Sequence, residues 1–364
     1  MSFGVVQAEK MTTESGYSLG AGNASSFKNR LFNGAQVIDQ RNAGAAVTVN
    51  TAGAFYATDR FRLSGASSSG VFTGQQVSDA PEGFVNSLKI TVTTTAASGD
   101  YYIVQPIEGY TIADLDFGKA TAETVTLSFW VKSSLTGTFS GSLVNSDVNR
   151  SYAYTYSISS ANTWEKKSVT IAGDTSGTWL TTNGTGIRTY FSLGSYSLIG
   201  ASGSWASAFY IGATGETRLI ATNGATLNIT GVQLEVGTVA TSFDFRSIGT
   251  ELALCQRYYE TSYALGTAVG TATATNVVGW YAQSTQNYNN NYVNFKVDKR
   301  ASPSITTYGT QTGAATKITN LDTNTDIAGR SIYIGTKGFG ISADNVSVGA
   351  SVGIGGQFSA SAEL

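Results

Sequence analysis

The stretch from Leu227 to Tyr259, LNITGVQLEVGTVATSFDFRSIGTELALCQRYY, changes its hydrophobic period partway along. Leu227, Ile229, Val232, Leu234 and Val236 make a strand pattern, and a Gly/Ala/Thr turn leads to an aromatic hook, Phe243 and Phe245. From Gly249 the period is 3.6, with Leu252, Cys255 and Tyr258 or Tyr259 on one side of TELALCQRYYET and Glu251 near its start. About ten residues are too few to hold a helix in isolation. This one must pack on the sandwich before it, on the domain after it, or on symmetry mates. Such a joint constrains the chain to two β-bodies coupled by a short helix.

The rest of the chain is consistent with that plan. A length of 364 residues suits two or three domains. With 42 glycines, 3 prolines and only 13% charged residues, the composition is that of a turn-rich all-β protein. In TVTLSFWVK, Val125, Leu127, Phe129 and Val131 fall on one face, and Thr124, Thr126, Ser128, Trp130 and Lys132 on the other. One face is core, and the other faces out or lines a groove. Further strand runs are expected at Ser87 to Val92, Tyr101 to Pro106, Trp164 to Ala172, Phe209 to Ala213 and Thr226 to Val236. After Ser262 they are expected at Asn276 to Gln283, Tyr292 to Val297, Ser304 to Tyr308, Arg330 to Thr336 and Val352 to Phe358. Asn29 to Asp39 reads as a leading strand around an Asn33-Gly34 turn. Residues 1–28 are small and polar without clear periodicity, which suits an extended arm that orders on docking to a partner.

Several phrases resemble bacteriophage tail fibre and tail-associated adhesin proteins. They are GVQLEVG with ATSFDFRSIGTELALCQRYY (231–259), NRLFNGAQVIDQRNAGAAVTVN (29–50), YVNFKVDKRASPSITTYG (292–309) and the ending GGQFSASAEL. The order VTLSFWVKSS, NTWEKKSVTIAGDTSGTW, LNITGVQLEVG also resembles carbohydrate-binding modules of the jelly-roll type. The resemblance implies an all-β chain divided into four parts. These are a virion-attachment arm (1–28), a jelly-roll, carbohydrate-binding-like β-sandwich (29–247), a helical junction (248–262) and a smaller, receptor-facing C-terminal β-sandwich (263–364). It also implies a homotrimer, with Leu252, Cys255, Tyr258 and Tyr259 as junction or oligomer residues.

The inventory of reactive groups is short. The chain has no histidine, which removes the commonest acid/base, the imidazole metal ligand and every Ser/His or Cys/His pair. Cys255 is the only cysteine, so no intrachain disulfide forms, and within an apolar stripe it reads as a core residue. A glycosidase needs only two carboxylates, for which Asp114 with Asp116, Asp322 with Asp326, and Asp174 come forward. No β-helix repeat accompanies them. Asn320, Asp322, Asn324 and Asp326 alternate in a way that suits either calcium or an Asx-turn loop, without an EF-hand's Gly and final Glu. Asp174 lies where jelly-roll sugar modules often hold a structural calcium. The Gly-rich runs 335–340 and 349–356 lack the order of a phosphate loop.

Aromatic and amide side chains are the remaining resource, because sugar C–H faces stack on rings while amides bond hydroxyls. Trp179, Tyr190, Tyr196 and Trp205 sit in Gly/Ser/Thr-rich, loop-like stretches. Trp280, Tyr288, Asn290 and Tyr292 form a dense polar-aromatic cluster in the C-terminal part, which reads as either a receptor-contacting loop or a polar hairpin tip. The expected role is non-enzymatic attachment of a virion to host surface glycans. A capsid head fibre or decoration protein and a carboxylate glycan hydrolase are the alternatives. A net charge of −2 without a basic run argues against nucleic acid. No apolar window of about 18 residues and no leader pattern argue against membrane insertion or a signal peptide.

Overall fold

The computed structural model of the chain describes residues 28–65, 70–282, 289–343 and 352–364, with the backbone of a short antiparallel pair, Lys10–Thr12 and Ser18–Gly20. The expected arm, 1–28, lies outside the described residues apart from that pair and Lys28.

Period-two alternation builds the first body. In Val125–Ser133 the side chains of Val125, Leu127, Phe129 and Val131 are fully buried, while Trp130 on the opposite face is half-buried. This strand belongs to a six-stranded antiparallel sheet ordered Glu165–Ile171, Val125–Ser133, Thr226–Val236, Ser87–Thr94, Val71–Val77, Val47–Val49. A seven-stranded sheet faces it, ordered Trp205–Ala206, Ser151–Ile158, Gly137–Asn145, Thr185–Ser195, Asp100–Glu108, Phe61–Ser64, Phe55–Thr58. Successive strands cross between the two sheets, giving the expected jelly-roll sandwich. The Phe129 ring meets Tyr156 at 5.0 Å and Phe191 at 5.1 Å, both edge-on, across the core. Each such buried side chain contributes about 1.5–3 kcal/mol.

The two outer faces differ. On the seven-stranded sheet, Leu198, Phe209 and Ile211 pack over Val104, Val144 and Tyr190, so the segment after Ser195 covers that face. The six-stranded sheet has a groove on its outer face.

The leading segment departs from expectation. Asn29 to Asp39 forms no strand, because Asn33 and Gln36 take positive φ and leave the extended region. Asn33 instead ties the turn with its side chain, donating to the Ile38 and Asp59 carbonyls and accepting from the Ile38 N–H.

The helix Ile248–Gln256 appears where the period changes, and its Ser247 N-cap Oγ accepts from the Thr250 N–H. Cys255, Tyr258 and Tyr259 are buried against the chain's own two bodies. Of the three packing alternatives for the helix, these residues take the first two, and they serve as junction residues between the bodies. Leu252 is half-buried beside them. Glu108 of the sandwich accepts from Arg257 at 2.8 and 2.6 Å and from the Tyr258 hydroxyl at 2.7 Å. Arg60 lies 3.5 Å over the Tyr258 ring and pairs with Glu363, which also takes Arg41 at 2.9 Å.

The smaller C-terminal body, expected as a sandwich, encloses its core with one curled eight-stranded sheet. Val352–Ser361 is its spine. It pairs with Tyr259–Thr261 and Ser304–Tyr308 near its end, and with Val278–Ala282 and Lys317–Asn320 near its start. A Cβ at Gly356 would lie 2.9 Å from Ile318 Cγ2, so glycine there lets Ile318 close onto the spine. Phe295, Phe339, Ile341, Ile354 and Phe358 fill the concave side.

Candidate functional site

The groove on the six-stranded sheet begins with a β-bulge. Pairing between Thr226–Val236 and Val125–Ser133 slips between Thr230 and Gln233, and Gly231 at the slip has φ +61°. A Cβ there would meet Phe84 Cζ at 2.7 Å and Trp130 Cδ1 at 3.1 Å, so the bare glycine is the floor on which both rings rest. The chain leaving the sheet brings Phe243 and Phe245 over the same place. Phe84 lies 5.2 Å from each of them, and they lie 4.9 Å from each other. The result is a trough of about 200 Å³ with an aromatic wall. Phe245 stays 62% exposed, an expense in water that an apolar ligand face removes. Ser128, Thr241, Ser242 and Lys166 supply polar atoms along its sides, and Glu82 is the one carboxylate among its lining residues.

A second tryptophan extends this face. Glu165 pairs with Val131, and Lys166 with Trp130, which puts Trp164 one row further along. Its Nε1 donates to Asp79 at 3.3 Å, and the Lys132 ammonium sits 5.2 Å from the ring centroid. Lys132 also donates to Asp79, which holds that carboxyl below its ordinary range.

The expected sugar-contacting residues fall elsewhere. Trp179, 7% exposed, packs at 5.0 Å from Phe117 and 5.3 Å from Trp205, with its Nε1 bonded to the Ser176 carbonyl. Trp205 is half-buried and donates to the Ala172 carbonyl. Tyr190 is 3% exposed beneath Phe209. Tyr196 donates its hydroxyl to Ala96 and lies under Arg218. Trp179 and Tyr190 are therefore packing residues, while Tyr196 and Trp205 are half-buried with their polar atoms bonded to the chain's own carbonyls. The reason is visible at Glu216. Its carboxylate accepts from the Ser140 and Ser192 hydroxyls and the Ser195 N–H, which satisfies part of the polar side chains that these strands bury. Burial pushes the Glu216 carboxyl above its ordinary value despite these bonds.

In the C-terminal body Trp280 is half-buried against the core, and Tyr292 is 52% exposed on the convex side. A Cβ on Gly338 would meet the Tyr292 ring at 2.9 Å, so that ring lies down on the sheet. Tyr288 lies outside the described residues, and Asn290 is placed only as part of the strand Asn289–Asn294.

The carboxylates proposed for chemistry or calcium have partners. Asp174 accepts from Arg150 at 2.7 Å on both oxygens, so the calcium reading there is corrected to an arginine clamp. Asp326 accepts from Thr312 and Thr319 at 2.5 and 2.6 Å, while Asp322 faces the Gly353 N–H at 3.4 Å. Asp114 pairs with Arg30 and Asp116 with Lys119. Among the described residues, no group of three or more His, Cys, Asp or Glu is arranged to hold a metal ion.

Trp130, Phe84 and Trp164 were not among the sugar-contacting residues expected. The signal was present for Trp130, since the alternation of TVTLSFWVK sets it on the polar face.

No protein-family model matches the chain, and no curated protein does. Among solved structures, the chain is similar to the enzymatically active domain of tailspike protein 4 of bacteriophage CBA120. Identity is 16% over 58% of this chain and 22% of that one, with a TM-score of 0.32. The family 11 carbohydrate-binding module from Clostridium thermocellum, solved with a β-1,3-1,4-mixed-linked tetrasaccharide, is 11% identical over 54% of this chain and all 100% of its own, with a TM-score of 0.29. Discoidin II of Dictyostelium discoideum is 10% identical over 79% of this chain and 86% of its own, with a TM-score of 0.18.

Proposed function

We propose that the chain is a non-enzymatic glycan-binding protein of a phage virion, a tail fibre or tail adhesin, and that it holds host surface sugars in the Trp130–Phe84–Phe245 trough. The observation that carries the binding reading is an aromatic wall left open to solvent beside hydroxyl and amine side chains. A sugar ring has the matching surfaces, an apolar C–H face and a rim of hydroxyls. With Glu82 as the one carboxylate in the lining, the trough lacks the pair that glycoside hydrolysis requires, so the proposal is retention without cleavage. The phage assignment rests on the resemblance of the Gly231–Tyr259 phrase and its companions to tail fibre sequences. It extends to a homotrimer attached to the virion through residues 1–28, in which weak contacts add up to avidity.

A glycan array probed with the intact chain and with Trp130→Ala tests the binding. Host-envelope glycans retained by the first and lost by the second are the expected outcome. Equal retention by both removes the trough from the proposal, and retention by neither removes the glycan. Immunogold labelling of virions checks the placement, with label on tails expected and label on capsid shells pointing to a head fibre instead.

A further inference from the structure

A second cleft lies where the junction helix meets the concave side of the C-terminal sheet. It holds about 330 Å³ and continues into a smaller recess of about 90 Å³, the two sharing Thr261, Asn276 and Lys296. That size falls in the range of about 300–1,000 Å³ typical of small-molecule sites. Val278, Val293 and Phe358 give it an apolar wall.

Its polar groups are unevenly committed. Glu260 is buried, and its carboxylate already accepts from the Lys299 ammonium at 2.6 Å and the Lys296 N–H at 3.0 Å, so its charge is matched. Lys296 lines both compartments at an exposed position, and its ammonium has no carboxylate partner among the described residues. Gln256, at the end of the helix, is only 5% exposed and opens on the recess, yet its amide makes no hydrogen bond among the described residues. The amide keeps its access to the recess, where a ligand hydroxyl can take the place of water. Asn276 presents a second amide at the shared mouth.

We propose that this cleft binds a uronic acid. Its carboxylate pairs with the Lys296 ammonium, its hydroxyls with the Gln256 and Asn276 amides, and the C–H face of the ring lies on Val278, Val293 and Phe358. Amides suit hydroxyls because each side both donates and accepts. A lone ammonium, with neither an arginine fork nor a nest of backbone N–H groups, matches one carboxylate better than a phosphate. The site is independent of the trough, so each stands or falls by itself.

Calorimetric titration of the intact chain with D-glucuronate, D-glucose and inorganic phosphate tests the proposal. Glucuronate is expected to bind with a dissociation constant on the order of 1 mM, and glucose and phosphate at least about tenfold more weakly. Lys296→Gln, at an exposed position, should bring glucuronate down to the level of glucose. Gln256→Leu, which keeps the bulk, should weaken both sugars. Absence of glucuronate binding, full binding by Lys296→Gln, or phosphate binding as tight as glucuronate each overturns it.

Discussion

At the scale of single residues, the trough depends on one glycine and one tryptophan. Gly231 has a left-handed φ of +61°, and any Cβ there runs into Phe84. Gly231→Ala is therefore expected to cost about 1–3 kcal/mol through backbone strain, read as a lower melting temperature. It should also weaken glycan retention, because Phe84 must move off the floor it shares with Trp130. Trp130→Ala should act differently. Its ring is half-buried on the outer face, outside the fully buried row of Val125, Leu127, Phe129 and Val131. Glycan affinity should fall by about tenfold or more, with little change in the unfolding midpoint in denaturant. A midpoint shift as large as that of Gly231→Ala would make Trp130 a core residue instead.

At the scale of elements, the helix Ile248–Gln256 is stable because the Glu108 seam completes it. Burial pulls the Glu108 carboxyl upward, but Arg257 and the Tyr258 hydroxyl outweigh it and hold the group below its ordinary 4.5. With the folded value depressed, the contribution is complete above the unfolded value and drains away as pH falls through the folded one. The stability difference between the native chain and Glu108→Ala, measured by chemical denaturation, should thus be constant near neutrality and shrink below about pH 4. At neutral pH it should be about 2–3 kcal/mol in favour of the native chain. The helix itself was legible, since Leu252, Cys255 and Tyr258 recur at its period. So were the strands with clean alternation, Val125–Ser133 above all. Gly137–Asn145, Ser151–Ile158 and Thr185–Ser195 were not, because GTFSGSLVN and its neighbours have the serine and glycine content of turns. Glu216 and the covering segment after Ser195 are what bury those hydroxyls, and for Gly137–Asn145 and Ser151–Ile158 both lie some 40 or more positions further along the chain. The sugar-site expectation failed for the same reason. Tyr190 and Tyr196 were assigned to loops that are strand and cover, while the trough needed Phe84, 46 to 161 positions from the other rings it meets.

At the scale of the whole molecule, Glu363 ties the end of the C-terminal spine back to the sandwich. It takes Arg60, whose side chain is 1% exposed, and Arg41, which also holds Asp59 at 2.6 Å. Arg300 secures the same strand end through the carbonyls of Ala362 and Glu363. Among the described residues Arg60 has otherwise only the Pro106 carbonyl and the Tyr258 ring, so removing the Glu363 carboxylate leaves a guanidinium charge inside the seam without a described counter-ion. Breaking a buried pair by deleting one partner typically costs about 3–5 kcal/mol. The cost should fall on the coupling between the bodies, because Arg60 and Arg41 belong to the sandwich while Glu363 belongs to the spine. Each body has its own hydrophobic cluster, and neither loses core contacts in Glu363→Ala. The native chain is accordingly expected to unfold in one calorimetric transition, and Glu363→Ala in two, with the C-terminal sheet melting first because its core is the smaller. A single transition merely shifted to lower temperature would mean that the bodies are coupled mainly through Tyr258 and the helix. In that case Glu108→Ala should split the transition where Glu363→Ala does not.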